Sequence, residues 1–129
     1  MPAHNPVATD EAQAAQCVAM VSDTPTYVRY GDILFDRTRL NGKGVEGISA
    51  EVLAEQAGAD SGMFSSCSRH NRSRDRVIAD SALGDKLGIT GTPSFIIGKL
   101  ENGQVTDGTL LVGNQPFSVF ENILKRYSR

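Results

Sequence analysis

The sequence has 129 residues, 40% of them hydrophobic and 22% charged, and its 13 basic and 15 acidic side chains give a net charge of −2. A chain of this length buries roughly two-thirds of its unfolded surface on folding, which suffices for one core and excludes several independent domains. The charge balance excludes a broad basic field for a nucleic acid backbone, and no apolar stretch reaches the ~18 residues of a membrane-spanning helix.

Two helices are predicted in the first third of the chain. Residues 1–7 are expected to form an extended arm, because the two prolines in it disfavour helical backbone in the residues before them. The first helix is then placed at about 9–21 with Thr9 as its N-cap, and the second begins at Thr24 and Pro25. Apolar side chains that recur at helical spacing in the second helix are predicted to form the aromatic face of the core: Tyr27, Tyr30, Ile33, Leu34 and Phe35.

Further helical segments follow a loop that is rich in glycine. Ser49 is predicted as the N-cap of the third helix and Gly58 as the residue that ends it. Asp60 is placed as the cap of one short helical turn. The spacing of apolar residues then predicts a helix at about 73–87, which Gly88 ends.

The C-terminal third is predicted to open with a β-hairpin. Residues 94–97 form a short apolar run, Asn102 and Gly103 are a strong two-residue turn, and residues 105–112 return as the partner strand with a bulge at Gly108. A terminal helix follows, and its apolar residues line one face: Val119, Phe120, Ile123, Leu124 and Tyr127. Because a sheet of two strands has unpaired edges, a homodimer that pairs these edges is one expectation.

The run Leu-Gly-Ile-Thr-Gly-Thr-Pro-Ser-Phe-Ile-Ile-Gly at residues 87–98 resembles the cis-proline segment of the DsbA-like branch of the thioredoxin superfamily. Residues 113–117 and the apolar residues after them are similar to the closing strand end and final helix of that family. Upstream, the Ala-rich helix with Cys17 and the segment that ends in Cys67 are similar to its inserted helical domain. The resemblance covers about residues 4–127.

This resemblance implies an α/β fold of a particular kind. The chain is expected to be an incomplete thioredoxin-like fold that is mostly helical, with an inserted helical domain, a C-terminal β-hairpin and a terminal helix. Residues 1–88 are assigned to the helical insertion-type domain with its N-terminal extended arm, and residues 89–129 to the C-terminal ββα part of the thioredoxin-like domain.

The sequence departs from the family in its redox centre. Members carry a Cys-x-x-Cys motif at a helix N-terminus, whereas Cys17 is followed by Val-Ala-Met and Cys67 by Ser-Arg-His. The expectation is therefore a portion of a thiol–disulfide oxidoreductase that lacks its redox centre, is inactive alone, and has no catalytic residue or cofactor. The family implies a periplasmic or cell-envelope location, although the chain carries no recognisable signal peptide.

Gly91, Thr92 and Pro93 are the candidate substrate-binding residues. In the family, a cis bond before this proline turns backbone groups outward, so that a substrate polypeptide pairs with them like an added strand. The implied partners are cysteine-containing polypeptides, handled when the chain is joined to a Cys-x-x-Cys half. No nucleic acid and no membrane span are expected.

Three interpretations of Cys17 and Cys67 stay open from the residues. Each lies among apolar neighbours on a predicted helix, where a free cysteine packs as a small hydrophobic side chain. Some family members have a second cysteine pair in the helical domain, which implies a structural disulfide, and a redox-active role is the third interpretation.

A zinc site is a further arrangement to consider. A zinc site usually has two closely spaced pairs of ligands, and this chain lacks them in the set Cys17, Cys67, His70 and His4. No metal is therefore assigned.

The alternative hypothesis from the sequence is a function of a different class. The chain is then a complete, non-catalytic protein that binds a peptide or another subunit beside Pro93, and that self-associates through its sheet edge.

Overall fold

The computed structural model describes residues 6–39 and 42–128, and this part of the chain is an α/β structure with six helices and one two-stranded antiparallel sheet. The elements in chain order are α1 (Pro6–Val21), α2 (Thr24–Arg37), α3 (Ala50–Ala57), α4 (Ser61–Arg69), α5 (Arg72–Lys86), β1 (Ser94–Glu101), β2 (Gln104–Val112) and α6 (Phe117–Tyr127). They form two compact units, a helical unit up to Leu83 and a C-terminal unit from Gly84 onward. None of the described helices combines the length and the apolar character that crossing a membrane requires.

Two helices are longer than the sequence predicts. α1 begins at Pro6, so Pro6 and Val7 are helical and Thr9 is not an N-cap; the rest of the predicted arm, residues 1–5, lies outside the described residues. Proline fits the first turn of a helix because its missing N–H would have no partner there. The predicted short turn after Asp60 is the full helix α4, which packs against α1 and α3.

Local capping decides where the next helices begin and end. Asp23, Ser49 and Asp60 are N-caps, and each side chain accepts a hydrogen bond from the backbone N–H three residues later, at 2.9, 3.3 and 2.8 Å. The hydrogen bonds that Asp23 accepts from Thr26, through side chain and backbone, hold the pKa of this carboxyl below its usual range. Gly58 ends α3 with φ of 101°, a backbone conformation that glycine adopts without steric cost. The capping predictions for Ser49, Gly58 and Asp60 are confirmed.

The core of the helical unit lies among α1, α2, α3 and α4. Its buried members are mostly small, which lets the helices approach closely: Ala14, Cys17, Val18, Tyr30, Leu34, Leu53, Ala54, Ala57, Ala59 and Phe64. The predicted aromatic face of α2 is only partly correct, because Tyr30 and Leu34 are buried whereas Tyr27 is exposed and Phe35 is 80% exposed. Phe35 follows Leu34 by about 100° around the helix axis, which places it outside the stripe that faces α1 and α3.

Tyr30 provides a test of this packing. Its side chain is fully buried, and its hydroxyl has no hydrogen-bond partner among the described residues. Burial, and secondarily the negative charge of Glu11, raises the pKa of Tyr30 to about 12. The phenol thus stays neutral in the folded protein at pH values where it ionises in the unfolded chain.

Replacement of Tyr30 by phenylalanine is expected to change how stability depends on alkaline pH. The raised pKa means that the neutral phenol contributes fully to stability below the unfolded-state pKa of about 10, and that this contribution is lost as pH rises toward about 12. Urea unfolding from pH 8 to 12 should therefore show a decline in the wild type that is smaller in Tyr30→Phe. Equal declines in the two proteins contradict the buried, unpaired hydroxyl.

The C-terminal unit is built on the predicted hairpin. Asn102 and Gly103 both have positive φ, 50° and 77°, which is the backbone of the tight turn that their sequence predicts. The register runs from Ser94 opposite Val112 to Ile97 opposite Thr109, and resumes at Lys99 opposite Thr106, so that two residues of β2 oppose one of β1. This bulge includes Gly108, as predicted.

α6 covers one face of the hairpin. Phe120 meets Phe95 of β1 edge to face, with ring centroids 5.0 Å apart. The Tyr127 hydroxyl donates to the Asp107 carbonyl in the bulge at 2.5 Å, and it lies 2.9 Å from the hydroxyl oxygen of Thr109. The predicted apolar face of α6 is correct for the buried Ile123 and the half-buried Val119, Phe120 and Tyr127, but Leu124 is exposed.

Candidate functional site

Residues 91–94 lie immediately before and at the start of β1. The peptide bond between Thr92 and Pro93 is cis. The Pro93 carbonyl accepts a hydrogen bond from the Gly113 N–H at 2.7 Å, and the Ser94 hydroxyl donates to the Gly91 carbonyl at 2.5 Å. These two bonds fix the segment to the end of β2 and to itself, while Thr92 and Pro93 remain exposed.

The backbone of Thr92 is open to a partner. Among the residues that the structure describes, neither its N–H nor its carbonyl makes a hydrogen bond. The described sheet has only two strands, so the outer edge of β1 is also unpaired. An exposed donor and acceptor beside an open strand edge can pair with an extended peptide as an added strand.

The hairpin face opposite α6 carries apolar side chains. Side chains alternate between the two faces of a strand. Phe95 contacts α6 and lies on the covered face, so its neighbour Ile96 lies on the opposite face. On β1 the apolar residues of this second face are Ile96 and Leu100, which pair with Leu110 and Val105 of β2, and Val112 lies on the same face; all five are at least 37% exposed. Leu100 is 74% exposed, so the segment beside Thr92 borders an apolar surface that the described residues leave open to solvent.

The two cysteines form a disulfide within the helical unit. Cys17 on α1 is fully buried and Cys67 on α4 is partly exposed, with their Cα atoms 5.7 Å apart. No cysteine of the chain is free, so neither sulfur is a thiolate ligand for the zinc set considered from the sequence, of which His4 also lies outside the described residues. Within 6–39 and 42–128, no three His, Cys, Asp or Glu side chains are grouped to hold a metal ion.

The sequence predicts Gly91, Thr92 and Pro93 as one site, and the structure places them in a continuous segment in which Thr92 and Pro93 are exposed and Gly91 is half-buried. It missed the apolar hairpin face, because the two-residue period of β1 is short and interrupted by Gly98. It also missed a pocket beside the disulfide, to which both methionines after Met1 contribute. A sequence signal for the second feature exists in hindsight, namely the helical spacing of Met63, Cys67 and His70.

Comparison with protein families gives a match. The family model described as the DSBA-like thioredoxin domain matches residues 3–125. Searches of curated proteins and of solved structures give no match.

Proposed function

The chain belongs to the family of DSBA-like thioredoxin domains, and from this membership we propose that it binds cysteine-containing polypeptides for thiol–disulfide exchange. The substrate-binding residues are Gly91, Thr92 and Pro93. The observation that carries the proposal is the unpaired, exposed backbone of Thr92 next to the open edge of β1. An extended substrate segment gains backbone hydrogen bonds there whatever its side chains, which suits a protein that handles many sequences.

Our proposal requires that the two thiols of the exchange reaction come from a polypeptide segment other than this sequence. Exchange requires a thiolate that attacks one sulfur of a disulfide and a second thiol that resolves the mixed disulfide. The sequence contains no Cys-x-x-Cys, and its two cysteines are bonded to each other. The chain is therefore the substrate-binding portion of an oxidoreductase and does not turn over substrate by itself.

The same proposal assigns the two parts of the chain and their location. Residues 1–88 act as the helical insertion-type domain, and residues 89–129 as the ββα part of a thioredoxin-like domain. The family membership and the Cys17–Cys67 disulfide support an oxidising, extracytoplasmic compartment, where such bonds persist.

Peptide binding tests the proposal directly. A fluorescein-labelled, unstructured peptide with one alkylated cysteine is titrated with the full chain, and fluorescence polarisation is measured. The same peptide with alternate backbone nitrogens methylated is expected to bind at least about tenfold more weakly, because each lost backbone hydrogen bond costs about 1 kcal/mol. Equal binding of the two peptides overturns the strand-addition mode.

Two variants at one position provide the matched control. Thr92→Ala keeps the backbone N–H and should bind like the wild type, whereas Thr92→Pro removes this donor and should weaken binding. Circular dichroism of both variants checks that the fold is retained. In a dithiothreitol-driven insulin-reduction assay the wild type should be inactive, and turnover that depends on Cys17 or Cys67 contradicts our assignment of these residues.

A second candidate function is favoured by the apolar hairpin face. On this alternative, the chain is a non-catalytic binding protein that buries this face and the sheet edge against another copy of the chain. Sedimentation velocity over a range of concentrations then shows a dimer that Leu100→Lys dissociates and that Leu124→Lys, on α6, leaves intact. A monomer that binds the extended peptide favours the first function instead.

A further inference from the structure

A pocket of about 380 Å³ lies beside the disulfide, between the C-terminal end of α1 and one face of α4. Met20 of α1 and Met63 of α4 line it, and these are the two methionines of the sequence other than Met1. They are 45% and 55% exposed. Core packing, the usual role of methionine, thus does not account for them.

The disulfide brings these side chains to one place. Met20 lies three residues after Cys17, and Met63 lies four residues before Cys67, so each methionine is one helical turn from a bonded cysteine. His70 lies three residues beyond Cys67 and lines the same pocket. Met20, Met63 and His70 therefore line a single cavity, although Met20 and His70 are 50 residues apart in the chain.

The hydrogen bond of His70 settles which ring nitrogen is available. Nδ1 lies 2.6 Å from the Ser66 carbonyl oxygen, and because a carbonyl only accepts, Nδ1 carries the hydrogen. In the neutral ring the lone pair is then on Nε2. Imidazoles that bind metals commonly donate their other N–H to a backbone carbonyl, which fixes the ring orientation.

We propose that this pocket binds one Cu(I) ion through the Sδ atoms of Met20 and Met63 and the Nε2 atom of His70. Thioether sulfur is a soft donor that selects Cu(I), whereas Mg²⁺ and Ca²⁺ require oxygen ligands and Zn²⁺ prefers thiolate, imidazole or carboxylate. No carboxylate lines this pocket in the described part of the chain. The three rotatable bonds of each methionine allow its sulfur to close on the ion.

One pocket residue opposes a cation. The Arg72 guanidinium also lines the cavity, but its side chain is exposed to solvent and its field is screened. A monovalent ion is repelled half as strongly as a divalent one at the same distance. The charge of Arg72 thus adds to the preference for Cu(I) over Cu(II) or Zn²⁺.

The test uses the full, disulfide-bonded chain. Ascorbate keeps copper as Cu(I) without a competing thiol, and the protein competes for copper with the chromogenic chelator bicinchoninate. One equivalent is expected to transfer to the wild type. Met20→Leu, Met63→Leu and His70→Gln should each raise the dissociation constant at least about tenfold, since even the outer partners of metal ligands contribute that much.

Matched controls separate the site from other donors. His4→Gln replaces the other histidine of the sequence and should bind like the wild type, and Arg72→Gln should bind as tightly or more tightly. With Ag(I), a soft redox-inert probe, the ¹³C-methyl signals of Met20 and Met63 should shift, while Zn²⁺ leaves them unchanged.

Several results overturn the proposal. These are failure of the wild type to compete for Cu(I), wild-type affinity in both leucine variants, loss of binding in His4→Gln, or binding that occurs only after the disulfide is reduced. The last result assigns the metal to cysteine thiolates instead of the thioether and imidazole donors.

Discussion

Reduction of the Cys17–Cys67 disulfide is expected to lower the free energy of unfolding by about 4 kcal/mol, the value of the chain-entropy model for a loop of this length. The bond closes a loop between positions separated by 50 residues, which spans α1 through α4. The reduced chain gains conformational freedom mainly in its unfolded state. The folded contacts are therefore retained, while the folding equilibrium shifts toward the unfolded state. The disulfide thus stabilises the helical unit mainly through its effect on the unfolded chain.

Urea denaturation of oxidised and reduced protein, followed by circular dichroism, measures this difference. The reduced wild type keeps both sulfur atoms and is therefore a better comparison than a double alanine variant, in which the fully buried Cys17 also loses packing. Equal denaturation midpoints for the oxidised and reduced chains show that the bond does not constrain the unfolded state as we infer.

Truncation of Phe64 is the second large effect that we expect. This side chain on α4 is 4% exposed and belongs to the core of the helical unit. Phe64→Ala removes buried apolar surface and leaves a cavity among helices that cannot fully collapse, at a cost of about 3–5 kcal/mol. The loss should appear as a lower midpoint in urea, with the disulfide kept oxidised.

Phe35 provides the matched control for this substitution. It is the same residue type on a neighbouring helix, but it is 80% exposed, so Phe35→Ala should change the free energy of unfolding by no more than about 0.5 kcal/mol. A large loss at Phe35, or a small one at Phe64, contradicts the orientation of α2 and α4 in the core.

The site was partly predictable from sequence. The Gly-Thr-Pro run predicts residues 91–93 as substrate-binding residues through a family resemblance, and the family match over residues 3–125 confirms the resemblance itself. The open backbone of Thr92 was not predictable, because whether an N–H has a partner depends on which strand lies beside it. The apolar hairpin face likewise becomes visible only when α6 is seen to cover the opposite side.

What the sequence determined by itself is local. The caps at Ser49 and Asp60, the glycine that ends α3, and the Asn102–Gly103 turn follow from hydrogen bonds and φ angles within a few residues of each position. Such interactions are encoded by neighbours in the chain, so composition and spacing suffice to predict them.

Only the tertiary structure decided which surfaces meet. The sequence left three roles open for Cys17 and Cys67, and it predicted Phe35 in a core from which helix packing excludes it. It gave no reason to group Met20 with His70, which line one pocket because the disulfide joins α1 to α4. These outcomes depend on the packing of elements far apart in the chain, where the burial of one face competes with that of another.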